Sequence, residues 1–369
     1  MKRHLAFLAA AAAMLLLSSC YGDDVTPAAT RYRTAVQRVM AQYHVPGALI
    51  SVRVPEEAAF RESFGVANLT TREPIALDSH FSIRSITKSF TVTALLQLVR
   101  DGVLTLDDKL DQYFPGFPIG DHITLADLAG MQSGIGEYTA NPDFQKLFFA
   151  DLGRPFTAAA LAGYGLAESP RFFPGARYEY VNTNTVLVGM IVEQVTGKPL
   201  GTVLQEQIFT PLGLVGTSYP STVPLPDPHP TPYEVNIHTG VSEQPVLVNP
   251  TSLAGAGAMV STLADLETWA QELGTGRLIG PALQRQRIDR SRAVTNGPEY
   301  GRYGLGIGIL KGWLGHTGTA IGWQAATFYD PRTGATISVL VNATPEGGRR
   351  DLNFAQELFE ALVDVVESR

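Results

Sequence analysis

The hydrophobic pattern changes period along the chain. From Thr30 to Tyr43 apolar residues fall at helical spacing, with Ala35, Val36, Val39 and Met40 on one face. Ala48 to Val54 and Phe60 to Val66 are rich in Val, Ile and Phe with glycine punctuation, which predicts a hairpin. Ser85 to Val99 has the spacing of a long apolar helix. Leu104 to Leu214 predicts mainly helices and loops, including Leu125 to Leu128 behind Thr124 as N-cap, Ala158 to Leu166, and Thr185 to Val195. The prolines between Pro224 and Pro232 mark an extended loop. Strand character returns at Tyr303 to Leu310, Gln324 to Tyr329 and Thr336 to Asn342, and Leu352 to Val366 closes the chain as a helix. Strands at both ends with helices between them predict a mixed α+β fold. One sheet is assembled from sequence-distant segments, with a helical insertion over roughly 104–214.

The N-terminus carries a different signal. Lys2 and Arg3 precede an apolar run from Leu5 to Leu17, long enough for the core of a signal peptide and too short to span a bilayer comfortably. Leu17-Ser18-Ser19-Cys20 ends the run and resembles a bacterial lipobox, the alternative being an ordinary secretory signal with an incidental cysteine. The lipobox implies removal of residues 1–19 and lipidation of Cys20. The product is a lipoprotein on the outer face of the cytoplasmic membrane or in the periplasm. Residues 20–30 read as a tether and 31–369 as the folded domain. Beyond this leader no stretch approaches 18 consecutive apolar residues.

Composition narrows the classes further. Cys20 is the only cysteine among 369 residues, which excludes a disulfide framework and a cysteine-based zinc site. With a net charge of −7 and no basic run longer than two, the chain lacks the footprint of a nucleic-acid binder. Apolar residues make up 45%, enough for a sizeable core.

Three short motifs carry candidate chemistry. Ser85-Ile86-Thr87-Lys88 places a hydroxyl and an ammonium one helical turn apart, at a helix N-terminus whose field favours a developing oxyanion. Tyr180-Val181-Asn182 follows Phe173-Pro174-Gly175 and offers a phenol and an amide on the same side of a loop. Beside a buried ammonium the phenol pKa is expected to fall from about 10, making Tyr180 a usable base. Gly315-His316-Thr317-Gly318-Thr319 lies between two strand-like segments. Its glycines would let substrate backbone approach, and its threonine hydroxyls would face the site. His238-Thr239-Gly240 repeats the tripeptide, but it lies in a loop region and lacks the second Thr and the Gly-Trp strand, so the later copy is preferred. Each motif alone fits a bland structural role.

Together, in this order and spacing, they resemble the penicillin-recognising serine hydrolases. The branch is the one holding class C β-lactamases, D-alanyl-D-alanine carboxypeptidases and related esterases. Val45-Pro46-Gly47-Ala48, Met131-Gln132-Ser133-Gly134-Ile135, Pro211-Leu212-Gly213-Leu214 and Tyr303-Gly304-Leu305-Gly306 extend the likeness over nearly all of the mature chain. The resemblance implies a β-lactamase/transpeptidase-like fold, with an antiparallel sheet from the N- and C-terminal segments flanked by helices. It also implies a catalytic set of Ser85 as nucleophile with Lys88 and Tyr180 as proton-handling groups. Asn182 is expected to hold Lys88 and the substrate amide. Backbone N–H groups of Ser85 and Thr319 would form the oxyanion hole. His316, where a lysine is common, would donate a hydrogen bond to Tyr180 and titrate near neutral pH, and Thr317 and Gly318 would line the substrate site. Neither metal nor cofactor is implied.

The expected substrate is a small molecule or peptide: a D-alanyl-D-alanine stem peptide, with a β-lactam or an ester as the alternatives. A non-catalytic lipoprotein binding peptidoglycan or a partner is a remoter alternative. A carboxypeptidase also needs a cation to read a terminal carboxylate. Between Tyr303 and His316 the only one is Lys311.

Overall fold

A computed structural model describes residues 27–117, 119–295, 300–348 and 352–368. The leader and Cys20 lie outside the described residues. The first helix, α1 (Pro27–Tyr43), begins three residues earlier than the periodicity suggests, taking in the end of the expected tether.

The sheet joins the two ends of the chain. Strands β1 (Gly47–Arg53) and β2 (Phe60–Gly65) form the N-terminal hairpin. From the C-terminal third come β3 (Arg292–Ala293), β4 (Arg302–Tyr303), β5 (Gly308–Leu310), β6 (Trp313–Ala320), β7 (Trp323–Tyr329) and β8 (Thr336–Val341). Their order is β2-β1-β8-β7-β6-β5-β4-β3, antiparallel throughout, and the seam between the two halves pairs Ala48 with Val341. The stretch Tyr303 to Leu310, expected as one strand, is two short ones, with Gly306 between them at a left-handed φ of 65°.

Both faces of the sheet are covered. Leu49, Ala325 and Leu340 enter one core, and their neighbours Ile50, Ala326 and Val339 enter the other. This two-sided burial explains why β1 and β8 read as nearly unbroken apolar runs rather than alternating ones. The terminal helices α1 and, at the C-terminus, Phe354–Glu367 cover one face; Tyr43 of the first donates a 3.2 Å hydrogen bond to Glu357 of the second.

On the opposite face helix α4 (Leu263–Thr275) lies against β6, β7 and β8, and α2 (Thr87–Arg100) and α3 (Asn182–Thr196) pack on each other in the same core. Helix α2 is buried on nearly every side, from Thr87 through Leu98. Phe90 stacks on Trp269 of α4 at 3.7 Å between ring centroids, and the Trp269 indole donates to Ser89 Oγ at 2.9 Å. Among the described residues, 104–214 contain helices and turns with no strand beyond an isolated bridge between Lys109 and Thr124.

Candidate active site

Ser85 sits in a single 3-10 turn, Arg84–Ile86, immediately before α2. Continuing the helix for one turn brings Lys88 Nζ to 2.9 Å from Ser85 Oγ. Lys88 is fully buried, and Nζ donates a second bond of 2.8 Å to the Ala256 carbonyl. That carbonyl is delivered by a segment pinned along the helix: Ile83 N–H donates to the Met259 carbonyl, Met259 N–H to Thr87 Oγ1, and Thr91 Oγ1 to the Gly255 carbonyl.

Strand β6 closes the other side. A Cβ at Gly318 would lie 2.1 Å from the Ile83 carbonyl oxygen, so glycine is required for the strand to reach the Ser85 turn. The expectation that Gly318 makes room for substrate backbone is corrected in this respect: the close approach in the structure is made by the protein's own Ser85 turn.

Tyr180 stands just ahead of α3, whose first residue is Asn182. Its ring lies 4.8 Å from Lys88 Nζ, and its hydroxyl is buried with no hydrogen-bond partner among the described residues. Burial, followed by the neighbouring Tyr303 and Tyr300, pushes the phenol well above its ordinary pKa, although Ser85 acts in the opposite sense. The expected fall is therefore reversed. The group whose pKa falls is Lys88, to about 7, because burial disfavours the ammonium more than Glu137 supports it. Of the pair, the lysine is the base available at neutral pH.

Asn182 does not hold Lys88. Its backbone N–H and its Nδ2 both donate to Glu137 Oε2, at 2.6 and 3.2 Å, while Glu137 Oε1 receives the Thr139 N–H at 3.1 Å. Glu137 is thus clamped at the start of α3, close enough to influence both Lys88 and Tyr180.

His316 is fully buried and makes no hydrogen bond to Tyr180. Its Nδ1 lies 2.6 Å from the Thr317 carbonyl, which can only accept, so Nδ1 carries the proton. Nε2 then accepts from the Tyr303 hydroxyl at 3.0 Å. Burial and, next, the charge of Lys88 lower the His316 pKa to about 3, so the ring is neutral and does not titrate near pH 7. The Thr317 hydroxyl is also taken, lying 2.8 Å from the Tyr300 hydroxyl, and Thr319, exposed near the end of the strand, accepts from Gln324 Nε2 at 3.1 Å.

Two further sequence readings resolve on geometry. His238-Thr239-Gly240 closes the turn between Tyr233–Val235 and Ser242–Glu243, with Asn236 Oδ1 receiving the N–H groups of His238 and Thr239. Lys311 is not a substrate-reading cation: it lies on the surface in ion pairs with Asp364 at 3.0 Å and Glu360 at 3.8 Å. The residues that sequence reasoning missed are Glu137, Tyr300 and the Ala256 carbonyl, together with any role for Tyr303. Tyr303 and the run just before Glu137 stand in family-like segments, so a signal for position existed, but none for partner.

A sheet joined from both chain ends and a Ser85-Lys88-Tyr180 cluster built around a buried lysine define the class of penicillin-recognising serine hydrolases. A sequence profile of the Beta-lactamase family matches residues 32–361, and the chain belongs to that family. Similar proteins include a D-aminopeptidase of Brucella anthropi, 28% identical over 86% of this chain and 60% of its own length. Penicillin-binding protein 4* of Bacillus subtilis (strain 168) is 26% identical over 70% of this chain and 61% of its own. The chain thus spans about three fifths of the length of these curated relatives. Among solved structures, a D-stereospecific amidohydrolase from Streptomyces sp. superimposes with a TM-score of 0.77 at 29% identity, covering 90% of this chain and 97% of that one. A D-amino acid amidase from Ochrobactrum anthropi SV3 shares the fold with a TM-score of 0.79 at 24% identity, covering 91% and 99%.

Proposed function

We propose that this protein is an exported serine acyl hydrolase that opens the amide bond of short D-amino acid amides or peptides through an acyl-Ser85 intermediate. The observation that carries the reading is the 2.9 Å contact between Ser85 Oγ and a buried Lys88 whose pKa sits at about 7. Neutral Lys88 accepts the Ser85 proton as Oγ attacks the carbonyl carbon. The negative oxygen is received by the N–H groups of Ser85 and Thr319. Tyr180, held protonated by its surroundings, delivers its proton to the leaving nitrogen and is reprotonated through Lys88. The C–N bond breaks, an amine leaves, and water repeats the sequence on the ester. His316, neutral and braced by Tyr300 and Tyr303, keeps β6 in place without adding a second charge beside Lys88.

The D-amino acid part of the reading rests on the similar amidohydrolase and D-aminopeptidase together with Glu137, a carboxylate at the site suited to a substrate ammonium. D-Alanine amide should be hydrolysed and L-alanine amide should not. Glu137→Gln should raise KM for D-alanine amide by about 10- to 100-fold, with a smaller effect on its N-acetyl counterpart. Release of D-alanine from a stem peptide, or turnover of a β-lactam or a simple ester in preference to D-amides, would replace this reading with one of the other family activities. Anchoring through Cys20 is part of the proposal: Cys20→Ala should free the protein from the membrane fraction, and a mature N-terminus other than residue 20 would overturn it.

A further inference from the structure

Strand β6 has two unlike edges. On one side it pairs with β7 from Leu314 to Ala320. On the other it pairs with β5 only from Trp313 to Gly315, so the edge from His316 onward has no strand partner among the described residues. Successive residues of a strand turn their backbone groups to opposite edges. Thr317 faces the open edge, because its N–H donates to the Tyr300 hydroxyl at 2.7 Å. Thr319, two residues on, faces the same way, and its N–H is the one proposed to receive the oxyanion.

Tyr300 takes over this edge where β5 gives out. A Cβ at Gly308, the β5 residue opposite Gly315, would lie 2.5 Å from the Tyr300 ring, so ring and strand end are in direct contact. Besides accepting the Thr317 N–H, the Tyr300 hydroxyl lies 2.8 Å from Thr317 Oγ1 and 3.1 Å from His316 Nδ1. The side chain is buried. An oxygen that accepts the N–H of an edge residue holds the place that a carbonyl of an added chain would take.

The end so closed is the one toward which the leaving group points. Tyr180, the proton donor to the leaving nitrogen in the proposed mechanism, has its ring 6.0 Å from that of Tyr303 and 6.4 Å from that of His316. Those two rings lie 5.7 and 5.5 Å from Tyr300. A leaving group protonated by Tyr180 therefore runs from Thr319 toward Thr317. Two residues of extended chain span about 6.5 Å, so a leaving amino acid would come up against Tyr300 and find the Thr317 N–H already bonded.

We infer that Tyr300 is a specificity-determining residue that closes the leaving-group end of the site and restricts the enzyme to small leaving groups, ammonia above all. The inference rests on the proposed amide hydrolase and narrows it: primary amides are preferred to peptides.

The test compares D-alanine amide with D-alanyl-glycinamide on the purified full chain. The two share an acyl residue, carry no carboxylate, and differ in releasing ammonia or glycinamide, with D-alanine as the common product to be measured. The expected result is a kcat/KM at least about 10-fold higher for D-alanine amide. Tyr300→Ala and Tyr300→Ser, which both clear the ring from the edge, should bring that ratio close to one. Both rates are read on one preparation, so an inactive or misfolded fraction cancels. A wild-type ratio near one, or a ratio that survives both replacements, would overturn the inference while leaving D-amide hydrolysis standing. If neither compound is turned over, the proposed function fails separately, and the methyl ester of N-acetyl-D-alanine against its glycolamide ester reads the same end of the site.

Discussion

The two faces of the sheet handle charge in opposite ways. On the face covered by the terminal helices, cations sit at the rim and meet carboxylates: Arg33 with Glu62 at 2.7 Å, Lys311 with Asp364, and Arg332 with Asp330 at 2.9 Å. The interior of that half is Val, Ile, Leu and aromatic rings, with Phe328 stacked on Phe359 at 4.3 Å. On the other face Arg61 and Arg277 still meet Glu267 and Glu272 of α4, but Lys88, Arg84 and Arg287 are buried in or beside α2 with no ion pair within 4 Å among the described residues. One half is built for stability, and the other accepts desolvated charge where the proposed mechanism calls for a lysine that is easily deprotonated.

That contrast can be broken by substitution, beginning with the largest effect. Ser85→Ala should abolish covalent labelling by a fluorophosphonate and lower turnover by about 10⁴-fold or more. An adduct that survives at Ser82, Ser89 or Ser133 would move the nucleophile elsewhere.

Lys88→Met should reduce acylation by about 10³-fold while making the fold more stable at pH 7, by about 1–4 kcal/mol, since a buried ammonium is replaced by an apolar chain of similar length. The sign follows from the shift. Lys88 falls from an ordinary 10.5 to about 7, so between these values the unfolded chain binds the extra proton and stability rises with pH. Urea melts at pH 6, 7.5 and 9 should show this slope in the wild type and lose it in the variant. The wild-type acylation rate should rise with a midpoint near pH 7 as Lys88 becomes neutral, and stopped-flow acylation across pH 5–9 tests it.

His316→Gln sharpens the assignment of that midpoint. With its pKa near 3, His316 is neutral throughout the range, so the variant should slow acylation by about 10-fold through loss of the Tyr303 brace and leave the midpoint in place. A midpoint that disappears would make the imidazole its source.

The smallest effect belongs to the stable half: Lys311→Ala should change stability by less than about 1 kcal/mol, and kcat/KM for D-alanine amide should not move. A change in substrate preference would show that the surface pair reaches the site after all.

Much of this architecture was legible from local pattern. The helical and strand periods located α1, the hairpin, α2, β7, β8 and the final helix, because hydrophobic spacing records which side of an element is covered. The three-residue step from Ser85 to Lys88 was sufficient to place hydroxyl and ammonium together, since a helical turn imposes that distance whatever surrounds it. Tertiary structure decided the rest. Whether Tyr180 gains or loses acidity depends on rings 120 residues away, Tyr300 and Tyr303, that bury it. Asn182 turned to Glu137 and His316 to Tyr303 because those partners come from other elements folded against them. Arg84 and Lys311 are both plain cations in the sequence; only packing made one a surface ion pair and left the other buried beside Ser85. Proximity along a helix is encoded locally, but desolvation is a property of everything that packs around a group, and no single segment specifies it.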